Sequence, residues 1–429
     1  MAKILLVEQH VNRSFDSLLI INELLRELGH DSRVSLSGSF MNTEIIWFEP
    51  QIIYTPWLSP KIMNFLGELG VAPLLLNSFQ EQNLLLDEGF HPHLKQLRMS
   101  NYFFSWGDVY GEAARAINPD IRYYSAGVTR YDAYLNPTVQ DLFLKTKKDL
   151  AEAFSIPEAT PWVLVAFDYA LLFKPKRREK ALRMGFVDQE YLDVTQKAFD
   201  RLSQWLDILT RNNPGTSFIL RPHPGAPLHL VQQAQGIADR PNVFYNSSGN
   251  INQWIIHCDR YLTRLSSSIM EAWLANKPTC TLFPDLQNEE IRNYVHLREP
   301  QLTAATVEEV QAFLEAPEPS ASLLRHRPFL ERIFGQVDGC ASARTARFID
   351  QIAREEQATL ATLSRRVPHK MPHWQYPLAN QVKHLLRRTN LFQYSPWRNS
   401  PADYVAPAYV RTKSAEVRRA LPELREKIS

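Results

Sequence analysis

The chain has few glycines and few cysteines for its length. Of its 429 residues, 15 are glycine and three are cysteine. No GxGxxG segment occurs, which argues against a dinucleotide-binding dehydrogenase, and no P-loop occurs either. Cys258, Cys280 and Cys340 form no CxxC pair. Their odd number fits a reducing compartment without disulfide bonds.

Long apolar runs and a large charge of one sign are also missing. The opening MAKILLVEQH contains four consecutive apolar residues before Glu8, too few for a signal peptide or a membrane span. Lys and Arg number 48 against 46 Asp and Glu, a balance that does not indicate nucleic acid as a partner. We expect a cytoplasmic protein. Peripheral association with the inner membrane is the alternative.

No DxD pair occurs in the chain, so a metal held by paired aspartates is not expected. The sequence therefore predicts that neither a metal nor any other cofactor takes part. Hydrophobic residues make up 45% and charged residues 22% of the chain, the balance of a globular protein with a substantial core.

Short apolar strands alternate with helical patterns in both halves of the chain. The strands predicted for the first half are residues 3–7, 45–48, 52–54, 72–76, 102–106 and 121–124. Those predicted for the second half are residues 162–167, 217–220, 243–245, 260–263 and 279–283. This alternation predicts an α/β fold with two Rossmann-like domains and a cleft between them. One large single sheet is the alternative.

Prolines at 157 and 161 mark the predicted connection between two domains, and the predicted domain bounds are 1–155, 156–350 and 351–429. From residue 361 onward, thirteen Lys and Arg face four Asp and Glu, with aromatic residues interleaved. Such a segment fits an anionic membrane surface. Because prolines interrupt any long amphipathic helix there, a segment wrapping back over the first domain is the other interpretation.

The segment TSFILRPHP, residues 216–224, contains the most informative corner of the chain. Arg221 and His223 follow an apolar strand, at the edge where open parallel sheets bind ligands. Pro222 and Pro224 restrict the backbone on both sides of His223, which suits recognition of an anion. A surface turn that happens to contain Arg and His is the alternative.

Two aspartates and a serine run follow other predicted strands. Asp168 comes directly after WVLVAF, and Asp108 follows the strand at 102–106. A pair of carboxylates can serve glycosyl transfer as nucleophile and acid/base, although helix capping explains either residue equally well. The run Ser266, Ser267 and Ser268 opens a helix, where hydroxyls and backbone N–H groups bind phosphate or simply cap the helix.

Together these motifs resemble the GT-B glycosyltransferases of bacterial surface carbohydrate synthesis, in particular the retaining β-Kdo transferases of capsule and O-antigen assembly. The matching segments are KILLVE at 3–8 with Arg13 and Asp16 after it, WGD at 106–108, GVTRYD at 127–132, RPHP at 221–224, NSSGNINQWI at 246–255 and SSSIMEAWLANKP at 266–278. The RPHP segment with the serine–glutamate helix is also similar to the glycerol-phosphate polymerases of teichoic acid synthesis. The basic stretch at 174–183 has no place in these motifs and is interpreted as an insertion.

The resemblance implies a CMP-linked 3-deoxy-ulosonic acid donor such as CMP-Kdo and a glycan or lipid-linked glycan acceptor. Residues 1–155 would bind the acceptor and residues 156–350 the nucleotide sugar. Asp168 matches the nucleophile, Asp108 the acid/base and His223 a group that helps the phosphate depart. The implied donor-binding residues are Arg221, Ser266, Ser267, Ser268, Glu271 and Asn250. The implied acceptor or cleft residues are Glu8, Arg13, Asp16 and Arg130.

Two other functions stay open on the sequence. A transferase of phosphoglycerol or another CDP-activated group would share the same motifs. A non-catalytic nucleotide-binding scaffold would keep the fold without the chemistry.

Overall fold

A computed structural model describes residues 1–9, 11–37, 39–80, 82, 92–185, 187–223, 225–284, 295–317, 322–365 and 405–426. The chain divides into two compact units, one formed by Met1–Phe143 with Phe329–Ser429 and the other by Leu144–Pro328. The functional domains predicted at 1–155 and 156–350 stay predictions. The aromatic part of the predicted C-terminal segment, residues 374–397, lies outside the described residues.

Parallel strands form one sheet in each unit. In chain order the strands are β1 (Lys3–Glu8), β2 (Asp31–Leu36), β3 (Ile52–Thr55), β4 (Leu74–Asn77), β5 (Tyr102–Ser105), β6 (Arg122–Ser125), β7 (Trp162–Phe167), β8 (Ser217–Pro222), β9 (Val243–Tyr245), β10 (Arg260–Arg264), β11 (Thr279–Leu282) and β12 (Thr303–Ala304). Within the described residues, the strand order is β2-β1-β3-β4-β5-β6 in the first unit and β12-β11-β10-β7-β8-β9 in the second. All observed pairs are parallel.

Helices connect the strands. In chain order they are α1 (Val11–Glu27), α2 (Ser39–Phe48), α3 (Pro60–Glu68), α4 (Asp108–Ile117), α5 (Asp132–Leu135), α6 (Pro137–Phe143), α7 (Lys147–Phe154), α8 (Pro175–Arg183), α9 (Gln189–Asn212), α10 (Leu228–Gln235), α11 (Ile251–His257), α12 (Ser268–Leu274), α13 (Val307–Glu315), α14 (Ser322–Phe334), α15 (Ala341–Glu355), α16 (Gln357–Arg365) and α17 (Pro407–Glu426). Short 3₁₀ turns cover Pro92–Met99, Thr129–Tyr131 and Val295–Arg298. No described helix combines the length and the apolar composition that crossing a bilayer requires.

Local sequence signals explain several element ends. Gly29 follows α1 with φ +90°, and its N–H donates to the carbonyl of Arg26 while that of His30 donates to Leu25. This Schellman arrangement needs a residue that tolerates positive φ. Helix α13 begins with a capping box between Thr306 and Glu309, which satisfies two otherwise orphaned N–H groups.

The predicted strand at 45–48 is wrong, because these residues end helix α2. Met41, Ile45 and Phe48 are buried while Trp47 is exposed, and this spacing of three to four residues is helical. Strand β2 was not predicted. Its sequence DSRVSL begins with three polar residues and lies at the edge of the first sheet, so it lacks the continuous apolar run of a central parallel strand.

Helix α17 packs against α1 within the first unit. Arg418 Nε lies 3.0 Å from Oε2 of Glu23, a buried carboxylate that also accepts from Nη1 of Arg26 at 3.1 Å. The Tyr409 hydroxyl donates to Oδ1 of Asp16 at 2.9 Å. These charge-assisted contacts hold the described part of the C-terminal segment back on the first unit.

Asp132, the last residue of the GVTRYD segment, has a structural role in this unit. Its carboxylate is buried and accepts from the N–H groups of Ala341 and Ser342, both at 2.8 Å. These donors open helix α15, where the helix dipole favours a carboxylate. Asp132 therefore fixes the start of α15 against the loop that follows β6.

We expect Asp132→Ala to lower the free energy of unfolding by about 1–3 kcal/mol, because two buried N–H groups lose their acceptor. Urea unfolding at about pH 4, where the contribution of this group is complete, measures this change. Asp141→Ala is the control, since Asp141 is exposed on α6 and its replacement should change stability by less than about 0.5 kcal/mol. Equal effects of the two substitutions would contradict the structural role of Asp132.

The titration of Asp132 gives a second expectation. Burial raises the pKa of its carboxyl to about 6 from 3.8, so the folded state favours the protonated form. The stability that this group contributes is complete below about pH 4 and is lost as the pH rises through 6. The stability of the wild type relative to Asp132→Asn should therefore fall between pH 4 and 7. Unfolding curves that give a constant difference over this range would contradict the shift.

Candidate active site

The strand order of the second sheet reverses at β7. The chain proceeds from β7 to β8 and β9 on one side, then crosses to β10, β11 and β12 on the other. Open α/β sheets bind ligands beyond the carboxyl ends of the strands at such a switch point. The residues that leave these ends are Asp168 after β7, His223 after β8 and Leu265 after β10.

The register places these three strand ends at one level. Phe167 pairs with Pro222 of β8 and with Arg264 of β10, and the His223 N–H continues the ladder to the carbonyl of Phe167 at 2.9 Å. Neighbouring strands lie about 4.8 Å apart. The structure thus brings together Asp168, His223 and the serine turn along one edge of the sheet.

Asp168 is exposed at the centre of this edge. Its Oδ1 accepts from the N–H of Ala170 at 2.9 Å, a local turn contact that fixes the side-chain direction. The carboxylate is therefore both oriented and open to solvent. The alternative that Asp168 caps the next helix is wrong, because the N-cap of α8 is Lys174.

His223 is also exposed, and its Nδ1 accepts from the N–H of Gly225 at 2.9 Å. Because Nδ1 is an acceptor, the neutral ring carries its proton on Nε2. A Cβ at position 225 would lie 2.8 Å from Nδ1, so glycine permits this close approach. The ring therefore presents an N–H donor in a fixed direction.

Arg221 is buried and holds a neighbouring loop. Its two terminal nitrogens donate to the carbonyls of Ser248 and Gly249 at 2.9 and 2.7 Å. This loop leads to Asn250, the N-cap of α11, whose side chain accepts from the Asn252 N–H at 3.4 Å. The structure thus gives Arg221 a positioning contact that the sequence did not predict, and its predicted contact with donor phosphate stays a prediction.

The three serines differ in environment. Ser268 is buried, and its Oγ lies 2.5 Å from the hydroxyl of Tyr261 and 2.6 Å from Oγ of Ser266. Ser266 also accepts from the Ser268 N–H at 3.3 Å, whereas Ser267 is exposed. Glu271 is buried one turn into α12. Ser267 is therefore the serine whose side chain is most accessible to a ligand.

Two further residues at this edge were missed from the sequence. Leu265 has φ +56°, a conformation that costs a non-glycine residue energy and is enriched at functional sites. Arg264 is buried, with its guanidinium carbon 4.9 Å from the ring centroid of Tyr169. The position of Arg264 at the end of a strand could have identified it from the sequence. No residue pattern predicts the positive φ of Leu265.

In the first unit, Glu8 and Arg130 line one pocket at the carboxyl edge of the sheet. The pocket also involves Tyr54 on β3, Ser78 after β4 and Trp106 after β5. The strand order of this sheet reverses between β1 and β3, so the pocket lies at the position that a ligand would occupy.

Glu8 is buried, and the side-chain amide of Gln80 lies 2.8 and 2.9 Å from its two carboxylate oxygens. The guanidinium carbon of Arg130 lies 5.3 Å from the ring centroid of Trp106 and 4.8 Å from that of Tyr131. Sequence reasoning missed Gln80 because its neighbours carry no motif. The pocket thus combines a fixed carboxylate, a stacked cation and aromatic walls.

The other residues predicted for the first unit have separate positions. Asp108 is exposed as the first residue of α4, after its N-cap Gly107. Asp16 lies in the contact between α1 and α17, and burial raises the pKa of its carboxyl to about 6. Arg13 lies in α1, and its side chain is outside the described residues. The structure does not bring Asp16 into the pocket formed by Glu8 and Arg130.

No protein-family model matches the chain, and no curated protein does either. Solved structures do match. The wall teichoic acid polymerase TagF aligns with a TM-score of 0.56 at 13% identity, over 82% of this chain and 90% of that one. UDP-GlcNAc 2-epimerase from Neisseria meningitidis bound to UDP-GlcNAc gives 0.51 at 13% identity, over 82% and 100%.

The UDP-GlcNAc 2-epimerase from Methanocaldococcus jannaschii gives a TM-score of 0.51 at 12% identity, over 81% of this chain and 99% of that one. Identities this low carry information about the fold alone. The predicted fold class is confirmed: the chain has a two-domain α/β fold of the GT-B type.

Proposed function

We propose that this protein is a retaining glycosyltransferase that moves Kdo or a related 3-deoxy-ulosonic acid from a CMP-linked donor to a bacterial surface glycan or glycolipid. The observation that carries the proposal is the exposed, oriented carboxylate of Asp168 at the switch point of the second sheet, level with His223 and the serine turn. The GT-B fold and the family resemblance of the motifs support the same assignment.

In the first chemical step, a carboxylate oxygen of Asp168 attacks the anomeric carbon, and the bond to the CMP phosphate oxygen breaks. The N–H donor that His223 presents stabilises the charge that develops on the departing phosphate. Ser267 and Arg264 are further candidates for this phosphate or for the sugar carboxylate. Because these groups offer cationic and neutral donors, we propose that no metal is required.

In the second step, Asp108 removes the proton of the acceptor hydroxyl, and the acceptor oxygen displaces Asp168. The sugar is then bonded to the acceptor with its original anomeric configuration. The pocket of Glu8 and Arg130 is the proposed acceptor site in the first unit, with Glu8 accepting from sugar hydroxyls. Arg13 and Asp16 have no assigned contact in this scheme.

A second candidate is transfer of a CDP-activated group such as phosphoglycerol. One matching structure is TagF soaked with CDPG, and the RPHP corner and serine–glutamate helix suit either cytidine nucleotide. Both candidates release CMP, but they differ in the product. The first forms a glycosidic bond and leaves no phosphate in the product, whereas the second transfers phosphoglycerol and leaves one phosphate there.

We expect CMP to raise the melting temperature selectively in a panel of CMP, CDP, UDP, GDP and ADP. A ligand at 100 times its Kd stabilises the native state by about 2.7 kcal/mol, which thermal shift detects. A larger shift with CDP would favour the phosphoglycerol-type transferase, and one with UDP would contradict a cytidine donor. No response to any nucleotide would favour a scaffold.

We expect Asp168→Asn to lower the transfer rate by at least about 1,000-fold, because the amide cannot act as the nucleophile. The CMP-induced thermal shift should persist, since the substitution keeps the shape of the side chain. Glu158→Gln is the control, because Glu158 is exposed before β7 and away from its carboxyl end. Unchanged turnover in Asp168→Asn would remove this residue from the mechanism.

A further inference from the structure

Helix α8 and the residue before it concentrate positive charge. One carboxylate, Glu179, accompanies six cations in ten residues, which are Lys174, Lys176, Arg177, Arg178, Lys180 and Arg183. Within the described part of the chain, no ion pair joins any of these cations to a carboxylate. The stretch therefore differs from the rest of this nearly neutral protein, in which Lys and Arg almost balance Asp and Glu.

The helix displays this charge to solvent. No residue of α8 is buried, and its exposed cations are Lys176, Arg177, Lys180 and Arg183. Met184 follows them with 50% of its surface exposed. The result is a basic face with an apolar side chain at its end, which we call the α8 face and define by these five residues.

Like charges on the α8 face repel each other, and Glu179, three residues after Lys176 and four before Arg183, offsets only part of this repulsion. Lys176 and Lys180 are four residues apart, and Lys180 and Arg183 are three apart, so both like-charged pairs are neighbours on the helix surface. A nine-residue helix without buried residues gains little from packing to offset this repulsion. An external anionic surface would remove the repulsion and stabilise the helix.

The position of α8 connects it to the candidate active site. The helix begins at Pro175, in the connection that leaves β7 at Asp168. Six residues separate the proposed nucleophile from the helix. A surface bound by the α8 face would therefore be held beside the carboxyl edge of the second sheet.

We propose that the α8 face docks the protein on a bilayer containing anionic phospholipids. Clusters of Lys and Arg on a surface helix are attracted to anionic headgroups, and Met184 supplies an apolar contact at the interface. Residues 174–183 contain no aromatic side chain on which bases of a single strand could stack, so a membrane fits better than nucleic acid. The docking itself does not depend on the proposed transfer reaction. Its functional consequence, access to a lipid-linked acceptor, rests on the proposed function.

Sedimentation of the full chain with vesicles tests the docking. We expect binding to vesicles of 30% phosphatidylglycerol and 70% phosphatidylethanolamine, and none to vesicles of neutral phosphatidylcholine. Neutralising the face by Lys176→Gln, Arg177→Gln, Lys180→Gln and Arg183→Gln should lower the partition coefficient at least about 100-fold. Raising the salt from 0.05 to 0.5 M should weaken wild-type binding steeply because the charges are exposed.

The matched control removes the same charge elsewhere through Lys61→Gln, Arg98→Gln, Lys145→Gln and Lys197→Gln. These four cations are exposed and spread over both units, so the control should bind vesicles within about threefold of the wild type. Equal losses of vesicle binding in both variants would show that binding depends on net charge alone, and would overturn the proposal that the α8 face is the docking site. Retained binding by the α8 variant, or binding of a 20-mer duplex without vesicle binding, would also overturn it. Nucleotide thermal shifts on the same variants test the transferase proposal separately.

Discussion

The parallel pairing of β7 with β8 on one side and with β10 on the other determines where Asp168, His223 and the serine turn lie. Phe167 is level with Pro222 and with Arg264, so three connections leave the sheet at the same height. Parallel pairing makes this possible, because it sets all carboxyl ends on one edge. Asp168, His223 and the serine turn come together for this reason, although Asp168 and His223 are 55 positions apart in the chain and His223 and Ser266 are 43 apart.

Short-range contacts then fix the side chains along this edge. The Ala170 N–H orients Asp168, the Gly225 N–H orients His223, and Arg221 anchors the loop before α11. Buried groups are thus used for positioning, whereas the exposed groups keep hydrogen-bonding capacity for a ligand. A site organised in this way needs little rearrangement when charge develops, which is the condition for electrostatic catalysis.

Much of the fold followed from apolar runs, because central parallel strands such as β7 are buried on both faces and continuous in sequence. Strand β2 could not be predicted in this way, since this edge strand contains both polar and apolar residues. The strand predicted at residues 45–48 was wrong, because a four-residue apolar run does not distinguish a strand from the end of a buried helix. The backbone of Leu265 and the carbonyl partners of Arg221 depend on tertiary contacts, which no local pattern specifies.

The motifs that suggested the family contain both buried residues with structural contacts and exposed residues with few contacts. Asp132 and Arg221 are buried and satisfied by backbone groups, and Asp16 is held by α17. Their contacts within the first or the second unit give them a structural role. Asp168 and His223 are exposed and use only one local contact each within the described residues. Because an exposed carboxylate with one local contact contributes little to stability, replacing Asp168 tests the proposed chemistry with little effect on the fold.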